Sequence, residues 1–308
     1  MNNESQKIMN EIKKAIKGKD DVIEKVLVAI LAKGHILIED VPGVGKTTLA
    51  LAFSKALGLD YKRMQFTPDV VPSDIVGFSM YNRQTEKFEY KSGAVICNLF
   101  LADEINRTSS KTQSALLEVM EENQITVDGN THDIPSPFTV IATQNPSGGA
   151  GTQMLPQAQL DRFLIKISMG YPDYESQIEI LKDRQKVNPI NYLDEVATRK
   201  EISDMQNSVD SVFSSDEILG YITRLAEATR NHNLITLGIS PRGALALNRA
   251  AKAKAFINGN DFVLPKDVRE VFLDVCAHRI ILNAKARIEE KNETDLLKEI
   301  LSQVKIDE

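Results

Sequence analysis

Apolar positions follow two different rhythms along the chain. In the first half, short β-rich runs at 35–39, 61–66, 98–102, 138–143 and 164–168 alternate with stretches whose apolar residues recur at helical spacing. Strands that alternate with helices predict a parallel sheet with helices covering its faces. Gly170-Tyr171-Pro172 then punctuates the chain, and from Asp173 onward the patterning is helical. The expected fold class is therefore α/β: a five-stranded parallel sheet domain over residues 1–171, followed by an all-helical domain over 172–308.

Two insertions break the alternation with period-two patterning of their own. The first, 78–90, predicts a β-hairpin around 82–86. The second, 125–135, turns at Asp128-Gly129-Asn130, a strong short-range hairpin signal. The aromatic residues Tyr81, Phe88 and Tyr90 of the first hairpin are expected to pack across its strands.

Between the first strand and the next helix lies Val41-Pro42-Gly43-Val44-Gly45-Lys46-Thr47-Thr48. Strand, glycine-rich loop and helix in that order make a phosphate cradle: backbone N–H groups turn inward and the helix N-terminus adds partial positive charge. Gly43 and Gly45 let the backbone approach an anion, Lys46 is placed to reach the β and γ phosphates, and the Thr47 hydroxyl suits Mg²⁺. The G-x-x-x-x-G-K-[ST] pattern wants glycine at position 40, where this chain has Asp40.

Leu99-Phe100-Leu101-Ala102-Asp103-Glu104 is an apolar strand that ends in two acids, and an uncompensated charge there is costly. A metal-bound phosphate would compensate it, with Asp103 on Mg²⁺ and Glu104 polarising the attacking water. The fourth strand leaves Asn145 at its carboxyl end, where open α/β sheets place ligands, so Asn145 is a candidate to orient that water. Arg162, in Leu160-Asp161-Arg162-Phe163, is a candidate for transition-state charge, although a bare Asp-Arg pair also suits a local ion pair. Ser240-Pro241-Arg242 opens a helix. A cation in a first turn opposes the macrodipole, so Arg242 calls for an anion opposite it, and a nucleotide phosphate would serve.

Composition adds limits. The chain has 308 residues, 42% apolar and 26% charged, with a net charge of −6, which disfavours a nucleic-acid role because phosphate binding calls for clustered basic surface. Cys97 and Cys276 lack a partner motif and read as reduced core thiols. His35, His132, His232 and His278 show no ligand spacing, and the acids from Glu118 to Glu122 read as a solvated helix face. The first residues lack export-signal character and the apolar run 26–32 is too short for a bilayer, so no membrane insertion and a cytoplasmic location are expected.

Taken together, the motifs resemble the MoxR family of AAA+ ATPases over about residues 17–282. The most specific stretches are Glu39-Asp-Val-Pro-Gly-Val-Gly-Lys-Thr47, Gln65-Phe-Thr-Pro-Asp69, Leu101-Ala-Asp-Glu-Ile-Asn-Arg107, Ile141-Ala-Thr-Gln-Asn-Pro146 and Leu160-Asp-Arg-Phe163. The resemblance implies that Asp40 is an accepted variant of the phosphate loop and that the helical part is a lid. It also implies Asn145 as first sensor, Arg162 as an arginine finger reaching the neighbouring subunit, Arg242 as second sensor, and Gly18, Lys19 and Val22 as lining of an adenine pocket. The hairpins would be the helix-two and pre-sensor inserts, directed at the pore of a ring, with six subunits the expected number. ATP and Mg²⁺ would be the ligands, and a protein client and a von Willebrand A domain protein the partners. Gly243 and the loop Ser147-Gly-Gly-Ala-Gly151 depart from the family pattern. Two alternatives stay open at this point. One is a nucleotide-dependent scaffold with little turnover, which an intact Glu104 opposes; the other is a DNA-remodelling motor, which the acidic balance opposes.

Overall fold

The structure, a computed structural model, describes residues 2–145, 153–185 and 188–306; the loop 147–151 lies outside them. In chain order the strands are β1 (Ile36–Glu39), β2 (Tyr61–Gln65), β3 (Gly77–Asn82), β4 (Lys87–Ser92), β5 (Leu99–Asp103), β6 (Gln124–Val127), β7 (Asn130–Asp133), β8 (Thr139–Gln144), β9 (Ile165–Ile167), β10 (Ile235–Leu237) and β11 (Ile281–Leu282). The helices are α1 (Asn3–Lys13), α2 (Asp20–Leu31), α3 (Lys46–Ala56), α4 (Pro72–Val76), α5 (Ser110–Glu122), α6 (Gln157–Leu160), α7 (Tyr174–Arg184), α8 (Arg199–Asp210), α9 (Asp216–Arg230), α10 (Pro241–Asn258), α11 (Pro265–Cys276), α12 (Ala284–Ile288) and α13 (Glu293–Gln303).

The five expected strands form one sheet in the order β2-β5-β8-β1-β9, parallel throughout. Their apolar runs are nearly continuous because both faces are covered. Alternate residues enter two cores: Ile36, Ile38, Leu99, Leu101 and Ile141 pack with α1–α3 and the C-terminal helices, while Leu37, Phe100, Ala102, Val140 and Ala142 pack with α5 and Phe66. The first core runs without a break from α1 into α8–α11 and α13, so the helical part is seated on one face of the sheet. Within that part, β10 and β11 pair antiparallel as a short ribbon that helical patterning did not anticipate, since each run is only two or three residues long.

Both insertions are hairpins. β3 pairs with β4, with Tyr81 opposite Phe88 and their rings edge-to-face at 5.4 Å. β6 pairs with β7 through a turn in which Asp128 and Gly129 both take positive φ, as an Asp-Gly hairpin requires. The Tyr90 ring lies against Gly77 of β3, and it also stacks on His132 of β7 at 3.8 Å, which joins the two inserts. Cys97 and Cys276 are both buried, and burial pushes each thiol up to about 12, as inert core residues. Among the described residues no helix is long and apolar enough to cross a membrane.

His35 closes the end of the sheet opposite the phosphate loop. Its Nε2 lies 2.9 Å from the Met120 carbonyl and its Nδ1 accepts from the Val140 amide at 3.0 Å, which fixes the neutral ring. Burial pushes its pKa down to about 4, and burial with Arg279 nearby also moves His278 well below its ordinary value. A folded pKa below the unfolded one means stability is full above about pH 6.5 and falls as pH drops toward 4. His35→Gln is therefore expected to reduce the slope of unfolding free energy between pH 6.5 and 5 by roughly one proton, about 1.4 kcal/mol per pH unit at most. Urea unfolding at several pH values checks this, and an unchanged slope contradicts it.

Candidate active site

The phosphate loop leaves β1 at Glu39 and enters α3 at Lys46. Gly43 and Gly45 take φ of 88° and 99°, conformations that side chains rarely adopt. A Cβ built at Gly43 would meet nothing within 4 Å, so the inner side of the loop is open to an anion. Gly45 offers no capping side chain, which leaves the first amides of α3 to whatever lies in the cleft. Lys46 Nζ donates to the carbonyls of Asp40 at 2.7 Å and Val41 at 3.2 Å. Burial lowers its pKa, with Asp40, Asp103 and Glu104 opposing.

Asp40 has a specific task where the pattern wants glycine. Its Oδ2 accepts from Ser168 Oγ at 2.9 Å, the Met169 amide at 2.7 Å and the Gly170 amide at 2.6 Å, and its Oδ1 from the Val41 amide at 2.8 Å. Burial pushes this carboxyl up, and the hydrogen bonds from Gly170, Ser168, Val41 and Met169 overcome it, leaving it below its ordinary value. The start of the phosphate loop is thereby tied to the segment that leaves β9.

The two acids close the other side of the cleft. Asp103 accepts from Arg63 Nη2 and from Thr143 Oγ1, each at 2.7 Å. Glu104 sits at φ 57°, a strained value for a non-glycine residue at a functional position. Its amide donates to Thr143 Oγ1 at 2.9 Å, and its Oε2 accepts from Gln65 Nε2 at 2.9 Å and Arg107 Nη1 at 2.7 Å. Pro42, Gly43, Gly45, Lys46, Thr47, Thr48, Asp103, Glu104 and Asn145 line this one cleft, together with Arg63, Gln65 and Gln144. The Thr47 hydroxyl and the Asp103 carboxylate are hard oxygen donors of the kind Mg²⁺ takes, so the residues fit that ion.

A second cavity of about 390 Å³ adjoins the outer side of the loop, within the range of roughly 300–1,000 Å³ usual for ligand sites. Ile16, Lys19, Val44, Met169 and Tyr171 line it, an apolar slot suited to a flat base. Gly18 and Val22 do not line it. Val22 is buried in the core of α2, and Gly18, at φ 65°, passes so close to Ser176 that a Cβ there would overlap the serine.

Arg162 and Arg242 lie elsewhere. Both bind one carboxylate, that of Glu121 on α5: Arg162 Nη2 stands 3.1 Å from Oε2, and Arg242 Nη2 contacts Oε1. The anion opposite Arg242 in this chain is thus Glu121 rather than a phosphate of its own cleft, and Glu121 is not an idle member of a solvated face. The hollow that Arg162 and Arg242 share shares no lining residue with the phosphate cleft. Asp161 does not pair with Arg162; it pairs with Arg279 at 2.7 Å.

Arg63, Gln65, Thr143, Glu121 and Arg279 are contacts that sequence reasoning did not single out. Arg63 and Gln65 alternate on β2 and so share one side of it, a weak signal that becomes meaningful only once β2 is known to lie beside β5.

The comparisons agree with this geometry. Residues 35–165 match the family model described as ATPase family associated with various cellular activities (AAA), and residues 227–300 match the AAA lid domain. The chain is 46% identical to the protein YeaC of Bacillus subtilis, covering 97% of this chain and 94% of that one. It is 40% identical to the protein named Chaperone MoxR1 of Mycobacterium tuberculosis, over 96% of this chain and 80% of the other. A crystal structure of a protein from Cytophaga hutchinsonii assigned as an ATPase superposes with a TM-score of 0.92 at 39% identity, covering 99% of this chain and 96% of that one. A five-stranded parallel sheet with an open phosphate loop, paired acids and a lid defines an AAA+ ATPase. Within that class the chain belongs to the MoxR family.

The Asp40 anchor gives a prediction. Asp40→Ala is expected to weaken ATP binding by about tenfold, since hydrogen bonds to a charged group contribute roughly 1.5–3 kcal/mol each and the loop would lose its fixed geometry. Calorimetric titration with ATP checks this, and an affinity equal to wild type contradicts it.

Proposed function

We propose that this protein couples Mg²⁺-dependent ATP hydrolysis at subunit interfaces of a ring to the remodelling of a protein client. The observation that carries the reading is the separation of two half-sites. Lys46, Asp103, Glu104 and Asn145 converge on one cleft, while Arg162 and Arg242 stand together on another part of the surface. A single chain therefore offers a nucleotide cleft lined by Arg63 but by neither Arg162 nor Arg242, and holds those two arginines away from its own cleft, an arrangement that a second copy would complete.

In this scheme residues 1–171 form the nucleotide-binding unit and 172–308 the lid. Lys46 leaves the carbonyls of Asp40 and Val41 for the β and γ phosphates, and the amides of Gly43 to Thr48 cradle them. Thr47 and Asp103 hold Mg²⁺, which when bound neutralises phosphate charge. Ile16, Lys19, Val44 and Tyr171 receive the base. Glu104 accepts the proton of the attacking water, for which its carboxylate must turn from Gln65 or Arg107, and Asn145 orients that water. Arg162 and Arg242 of the adjoining subunit leave Glu121 to meet the charge that develops on the γ-phosphate.

The name of the Mycobacterium relative supports a chaperone-like role, and family membership supports a hexameric ring in the cytoplasm with a von Willebrand A domain protein as partner. The joined inserts, with Phe78, Met80, Tyr81 and Phe88 exposed, are suited to gripping a client at the pore.

Two outcomes are expected. Glu104→Gln should retain ATP binding while losing turnover by about a hundredfold or more, the scale of a lost general base; wild-type turnover in that variant contradicts its role. Mixing Arg162→Ala with Lys46→Ala protein should restore activity that neither has alone. If mixtures stay inactive while assemblies form, the arginine does not act across an interface.

A further inference from the structure

Arg162 follows Asp161 in the segment between α6 and β9, a short turn in which the Arg162 amide donates to the Gln159 carbonyl at 3.2 Å and the Phe163 amide to that of Leu160 at 3.1 Å. The lid adds a second and denser hold. Arg279, after α11, has its side chain almost wholly withdrawn from water, with 2% exposure. Its Nη2 donates to the carbonyls of Asp161 at 3.1 Å and Phe163 at 2.6 Å, its Nη1 donates to that of Leu164 at 3.0 Å, and its Nε donates to Asp161 Oδ1 at 2.7 Å. Gln157 Nε2 adds a bond to the His278 carbonyl at 2.7 Å. The backbone on both sides of Arg162 is therefore held by one guanidinium.

The same network reaches Arg242. Asp161 Oδ2 accepts from Ser240 Oγ at 3.2 Å, and Ser240 is the N-cap of α10, whose first turn carries Arg242. Gly243 supplies an independent sign that this packing is specified: a Cβ there would come 2.9 Å from Arg279 Cδ and 2.8 Å from Ile239 Cγ2. The absent side chain makes room for the Arg279 stem.

A buried ion pair adds little net stability over an apolar replacement, and its best-attested use is to specify one geometry. We infer that Arg279, with Asp161, is a positioning residue that sets Arg162 and Arg242 as one unit for use in a neighbouring subunit's site. This rests on the reading that the two arginines act in trans. Because Arg279 belongs to the lid, the lid of one subunit aims the arginines that serve the next.

Mixed assemblies test it. The control pairs a donor, Lys46→Ala, whose arginines are intact, with an acceptor, Arg162→Ala, whose nucleotide site is intact. Arg279→Lys is then placed in the donor or in the acceptor, with melting temperature and assembly size recorded for each. In the donor it is expected to lower the restored kcat by about tenfold, with KM for ATP little changed; in the acceptor the loss should stay within about twofold. Gly243→Ala, which crowds Arg279 without removing its charge, should show the same asymmetry and stands in where Arg279→Lys fails to fold. Equal losses in both placements, or a loss confined to the acceptor, overturn the inference. A control mixture that is itself inactive counts against the trans reading and removes the basis of this one.

Discussion

Asp103 ends a strand whose preceding residues, Leu99 to Ala102, are completely buried, and a carboxylate in that position must find donors or cations. Here it finds Thr143 and Arg63, with Lys46 facing it across the cleft. The remainder of the nucleotide site follows from that requirement. A parallel sheet brings the carboxyl ends of β1, β5 and β8 side by side, so the loop after β1, the acids after β5 and Asn145 after β8 meet without any long connection. Within the chain Lys46 is satisfied by two backbone carbonyls, Asp103 by Arg63 and Thr143, and Glu104 by Gln65 and Arg107.

Buried or half-buried carboxylates recur as the joints of the molecule. Asp40 binds the start of the phosphate loop to Ser168, Met169 and Gly170, just beyond β9. Asp161 binds the lid through Arg279 and Ser240, just ahead of β9. A three-residue strand thus has the phosphate loop tethered at one end and the segment that carries Arg162 at the other. β9 also hydrogen-bonds to β1, so the phosphate loop and the segment that carries Arg162 are both attached to the same pair of strands.

Much of the architecture was legible in the sequence because it rests on local rules. The five strands fall within about a residue of their predicted positions, Asp128-Gly129 turned the second hairpin as its chemistry requires, and Ser240 caps α10. What stayed hidden depends on which elements become neighbours. The partner of Asp161 is 118 positions away in the chain, so nothing near Arg162 announces Arg279. Glu121 looks like any acid on an amphipathic helix until α5 and the start of α10 are brought together. Asp40 read as a deviation in a glycine pattern, and only its partners across the β9 loop reveal an anchor. The resemblance implies Gly18, Lys19 and Val22 beside the base; of these, Lys19 lines the cavity next to Val44, while Val22 is buried in the core.

The central claim is that triphosphate and cation are held between the Gly43–Thr48 loop and Asp103. A crystal structure with a non-hydrolysable ATP analogue and Mg²⁺ tests it most directly. The account predicts Lys46 Nζ on phosphate oxygen instead of on the Asp40 and Val41 carbonyls, and the base in the slot beside Val44 and Tyr171. An analogue bound away from the loop, or one that leaves Lys46 on those carbonyls, would contradict it.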